Sequence, residues 1–85
     1  MNSSNIPINQ YSLKELENWL QNLGAQRDIK DLCSWHLKVS TWEAIINFEQ
    51  EDLSVVWNCE GKVTGSLFSY CINRVDVEYA ILQGP

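Results

Sequence analysis

Cys33-x-x-His36 sets two metal-binding side chain types at a spacing suited to one helical turn, and Cys59 and Cys71 could complete a tetrahedral set. Zinc sites pair their ligands closely, and Cys59 and Cys71 stand far apart in sequence. Free cysteine is among the most buried residue types, so the cysteines are expected as small hydrophobes, with no metal or other cofactor. His36, the only histidine, could act as general base toward Ser34, Ser40 or a cysteine. That chemistry also needs an orienting acid, an oxyanion site and a pocket that excludes water. No G-x-S-x-G turn is present, and a chain of 85 residues rarely encloses such a pocket. The expectation is a protein that is not an enzyme.

Charge carries more information. Between Val39 and Gly61 the chain holds Glu43, Glu49, Glu51, Asp52 and Glu60 and no basic residue. Such a run either keeps a face in water or meets a basic partner. The whole chain has 11 acids against six bases, a net charge of −5. That balance repels phosphate backbones and anionic headgroups, so neither nucleic acid nor a membrane surface is expected as a partner. Lys14, Arg27, Lys30 and Lys38 are scattered among acids and do not make the basic cluster that RNA needs. No apolar run is long enough to span a bilayer, and no leader pattern follows Met1. Three cysteines, an odd number, suit reduced thiols in a cytoplasmic or nuclear protein.

The elements that would position these groups read as helices in one domain. Residues 1–10 carry no charge and no periodicity and are expected as a flexible lead, followed by a domain over 11–82 and a tail over 83–85. Ser12-x-x-Glu15 is a capping box, Leu13, Leu16, Leu20 and Leu23 recur at helical spacing, and Gly24 is a natural stop. A second helix is expected from about Asp28 to Leu37 and a third from a second capping box, Ser40-x-x-Glu43. A fourth would cover Glu49 to about Trp57, and Asn58–Gly61 reads as a turn. The three-to-four spacing of Leu67, Cys71, Val75, Tyr79 and Leu82 predicts one long final helix from about Val63 to Leu82. Gly65 and the β-branched Val75 and Val77 argue against it, and a strand within Val75–Leu82 is the local alternative. Trp19 and Trp42 fall on inward stripes, whereas Trp35 and Trp57 are open to either placement.

In this order the residues resemble a sterile alpha motif (SAM) domain over about Tyr11 to Val75. The resemblance rests on Tyr11, Trp19-Leu20, Leu23-Gly24, Leu32, Leu37, Trp42-x-x-Ile45, Glu51-Asp52-Leu53 and Gly61-Lys62. The chain departs from the family at Val56-Trp57-Asn58, which lacks the usual glycine, and at Val63, where a second basic residue is usual. The resemblance implies a compact all-α bundle of five helices. It implies a protein–protein interaction module of a scaffold, signalling, adaptor or regulatory protein, joined head to tail to another SAM domain. One half of that contact would be the acidic face of Glu43, Glu49, Glu51 and Asp52. The other would be the start of the last helix at Gly61, Lys62, Val63 and Thr64, with Trp57 as a candidate anchor. Because acids outnumber bases, a heterotypic contact with a more basic SAM domain is expected ahead of strong oligomerisation. An RNA-hairpin-binding SAM domain and a death-fold-like helical adaptor are the alternatives.

Overall fold

The computed structural model describes residues 6–85. They form α1 (Leu13–Leu23), β1 (Gln26–Arg27), β2 (Ser34–Lys38), β3 (Glu43–Phe48), β4 (Asp52–Cys59), β5 (Lys62–Ser69) and α2 (Arg74–Gln83). The five strands pair antiparallel in sequence order. This corrects the all-α expectation: the protein is α+β, and neither a five-helix SAM bundle nor a six-helix death fold contains such a sheet.

The physical reason lies in the hydrophobic period. Along β4, Leu53, Val55 and Trp57 are buried while Ser54, Val56 and Asn58 are not, which is the period of two that a strand requires. Trp35 and Leu37 on β2 and Ala44 and Ile46 on β3 repeat it. Short apolar runs fit a helical face almost as well, and what decides is a partner strand distant in sequence. Val55 faces Ile46 on one side and Ser66 on the other, and Ile46 faces Trp35.

Each expected inner helix therefore becomes something else. The stretch from Asp28 becomes a loop and β2, and Ser40-x-x-Glu43 lies in the β2–β3 connection instead of capping a helix. The fourth helix becomes β4. The long last helix divides into β5 and α2, and the strand lies before Asn73, not within Val75–Leu82. The turn read at Asn58–Gly61 is a two-residue hairpin loop, with Glu60 at φ 53° and Gly61 at φ 85°. Two positive φ angles are what a type I′ turn needs to match strand twist. It therefore launches β5, not a helix.

Only the first helix forms as its sequence directs. Ser12 Oγ accepts from Glu15 N–H at 3.1 Å, Ser12 N–H donates to Glu15 Oε1 at 2.8 Å, and Gly24 ends the helix at φ 100°. Both helices pack on one face of the sheet. Leu16, Trp19 and Leu20 of α1 and Val77 and Ile81 of α2 join the buried side chains of β2, β3 and β4 in one core. Trp19 Nε1 donates to Glu78 Oε1 at 2.7 Å and ties the helices together. A hydrogen bond to a charged group contributes about 1.5–3 kcal/mol.

Residues 1–5 of the expected lead lie outside the described residues; within 6–10 Ile8 is buried, and Asn9 and Gln10 are exposed. Pro7 bridges Asn73, Ile8 N–H donates to the Ile72 carbonyl at 3.0 Å, and Ile8 is 1% exposed. Ile8→Ala is therefore expected to cost about 2–5 kcal/mol in denaturant unfolding. A loss below about 0.5 kcal/mol, the range of a surface change, would contradict this packing.

Candidate interaction surface

The two ends of the sheet separate the acids expected on one face. Glu43 opens β3 and pairs with Lys38 and Asn58, whereas Glu49, Glu51 and Asp52 lie at the β3–β4 connection. A strand rises about 3.3 Å per residue, so Glu43 and Glu49 stand about 20 Å apart. Glu49, Glu51 and Asp52 remain one cluster, beside Tyr70. The Tyr70 hydroxyl donates to the Glu49 carbonyl at 2.5 Å. Its pKa is raised above 10.0, first by partial burial and then by the negative charges of Asp52 and Glu49.

Gly61, Lys62, Val63 and Thr64 form no helix N-terminus. Gly61 is the second turn residue, and Lys62, Val63 and Thr64 begin β5. Trp57 is no exposed anchor either: it is 5% exposed and its Nε1 donates to the Ile81 carbonyl at 3.2 Å, locking α2 onto β4. Trp35 is buried as well.

The metal-ligand and base candidates are not gathered. Among the described residues, no group of three or more His, Cys, Asp or Glu side chains could hold a metal ion. Cys33 and Cys71 are exposed and Cys59 is partly covered, so the cysteines do not fill the core as expected. His36 points outward from β2, and its Nε2 lies 2.9 Å from Asp28 Oδ2. Asp28 also accepts from Lys30 N–H at 2.7 Å and Asp31 N–H at 3.0 Å. This pair holds a loop against a strand.

The strongest surface feature is one that a helical reading hides. β5 pairs with β4 along its length, and among the described residues no strand pairs with its other edge. Seven of its eight residues, all but Phe68, are exposed, on both faces. Inward rows that begin Leu37–Ala44–Trp57 and Trp35–Ile46–Val55 end on β5 at Thr64 and Ser66, beyond the cover of the helices. On the outer face, Val63 and Leu67 stand 64% and 67% exposed, beside the half-covered Ile45 and Val56. The signal available in the sequence was the alternation Val63-x-Gly65-x-Leu67 straight after a turn. A second exposed apolar ridge, Val75, Tyr79 and Leu82, lies on the solvent side of α2.

The Asp28 turn yields a titration. Backbone N–H groups of Asp31 and then Lys30, followed by His36, hold the Asp28 carboxyl below its ordinary 3.8. A lowered pKa contributes stability above the ordinary value, lost as pH falls through the folded one. Carboxyl NMR should find the midpoint below 3.8, and His36→Ala should raise it only in part, since the backbone bonds come first. A midpoint at or above 3.8 would contradict the turn.

No curated protein matches the chain, and no solved structure does. Among the described residues, no helix is long and apolar enough to cross a membrane. A family model described as "Protein of unknown function (DUF3143)" matches residues 23–84. The match takes in every strand and α2, and leaves out nearly all of the well-capped α1. It spans more than half of the chain, so the protein belongs to the DUF3143 family and not to the SAM domains.

Proposed function

We propose that this chain is a protein–protein interaction module whose binding element is the free edge of β5, to which a partner adds an extended strand. The observation that carries this reading is the state of that edge. Alternate residues of this eight-residue strand direct their N–H and C=O groups away from β4, with no strand among the described residues to pair them, no proline and a single charge, Lys62, at one end. Edges left alone are normally blunted by charges, prolines or bulges, because an open one templates pairing. Strand addition draws its affinity from main-chain hydrogen bonds and its selectivity from alternate side chains, here Val63 and Leu67 outward and Thr64 and Ser66 inward. The ridge on α2 offers apolar side chains alone, because a helix satisfies its own backbone. Of the acids between Val39 and Gly61, Glu49, Glu51 and Asp52 lie at the Ser69 end of the edge, where Asp52 pairs with Ser69, and Glu43 and Glu60 lie at the other end.

A binding role without a catalytic step is the reading the surface supports. Three free cysteines suit a reducing compartment, and we place the module inside the cell.

Val63→Lys with Leu67→Lys tests the proposal. Both side chains are exposed, so melting should move by no more than a few degrees. Proteins cross-linked to the wild type through a photoreactive group at Thr64 should be lost, while Tyr79→Lys, on the solvent side of α2, should keep them. A folded double variant that retains every cross-linked protein would overturn the reading.

A further inference from the structure

Resting on that reading, we propose that the strand added to β5 is β5 of a second copy, paired antiparallel about a two-fold axis through Gly65, so that the two sheets join into one.

A two-fold axis normal to the sheet keeps the helix-covered faces on the same side, and odd residues then pair with odd ones. Centred on Gly65, it sets Val63 against Leu67 of the second copy and Leu67 against its Val63. Four exposed apolar side chains close over the join, continuous with the row Ile45–Val56–Gly65 on each copy. Cross-strand pairs of this kind are the unit of sheet stabilisation. On the other face Thr64 meets Ser66, small polar side chains that need no further cover.

Charge complements the backbone. The same pairing sets Lys62 of each copy against Phe68 of the other, next to Tyr70 and the β3–β4 connection with Glu49, Glu51 and Asp52. Lys62 of each copy, with Glu60 beside it in the turn, thus lies at the end of the join where the other copy carries Glu49, Glu51 and Asp52, although both chains carry a net charge of −5. A pairing through parallel strands would set Lys62 against Lys62 and the acids against one another. Gly65 suits the axis. A Cβ there would meet the Val55 carbonyl oxygen at 3.6 Å and Val56 Cγ2 at 3.8 Å, ordinary contacts, so the chain's own fold does not demand glycine. A glycine inside a strand often marks the close approach of another backbone. One strand pair is smaller than a standard interface of 1,200–2,000 Å2, so a weak dimer that dissociates on dilution is expected.

Sedimentation across a concentration series reads the outcome. The wild type should rise from 9.8 kDa toward twice that mass. Gly65→Glu, which sets like charges directly opposite each other at the axis, should stay monomeric and folded. Lys62→Glu alone and the pair Glu49→Lys with Glu51→Lys alone should each dimerise at least tenfold more weakly. Mixing those two chains should restore dimers, because both contacts across the axis then carry opposite charges again. A wild type that stays monomeric, or dimers indifferent to Gly65→Glu and to the charge exchange, would overturn the pairing. If the wild type is monomeric while Val63→Lys/Leu67→Lys still loses cross-linked proteins, only the identity of the partner falls. If those variants change neither readout, the β5 edge falls as a binding element as well.

Discussion

Two helices roof about four strands, and this sheet has five. A helix with its side chains is about 10–12 Å across and strands lie about 4.8 Å apart, so α1 and α2 side by side span about four strands, and the strand side chains buried beneath them lie on β2, β3 and β4. The side chains obey that limit. Under the helices the rows are Trp35–Ile46–Val55 and Leu37–Ala44–Trp57, and at β5 they turn to Ser66 and Thr64. The Trp19–Glu78 hydrogen bond and the bond from Trp57 to the Ile81 carbonyl fix where the roof stops. The exposed edge is a consequence of that arithmetic.

Within the roof, stabilisation is concentrated. Leu20, Ile46, Leu53, Val55, Val77 and Ile81 are all fully buried, and burying such a side chain contributes about 1.5–3 kcal/mol. Arg74 shows how the helix seam is filled: its guanidinium carbon lies 5.2 Å from the Tyr11 ring centre and 5.6 Å from that of Trp19. A cation stacked on aromatic faces occupies a place where two helices and the N-terminal segment converge. β5 contributes only the half-buried Phe68 to this packing. Its other apolar residues, Val63 and Leu67, are exposed and remain available to something outside the chain.

The first helix was legible because its signals are local: Ser12, Glu15 and Gly24 act within one or two turns. The sheet was not, because its signals are pairings between residues distant from one another. Leu53, Val55 and Trp57 alternate plainly, yet Leu53 and Val56 also satisfy a helical spacing, and only Ile46 and Phe68 across the ladder decide. Ser40-x-x-Glu43 is a capping box in letters only, since the apolar residues after it serve a strand. The acidic residues were visible in sequence, but their division between two ends of β3 depends on the strand rise. Lys62 and Val63 were singled out as a helix start and matter instead as the opening of an edge. Leu67 belongs by spacing to the stripe of a long last helix, and it is one of the most exposed apolar side chains on the sheet.

The most direct measurement is amide hydrogen exchange resolved by residue, at low and at high protein concentration. The account predicts that β3 and β4 are protected at both. Alternate amides of β5, those directed away from β4, should exchange freely in dilute solution and slow down as concentration rises. Uniform protection of β5 at every concentration, or free exchange of those amides even in concentrated solution, would contradict an edge that is open in the single chain and closed by a second copy.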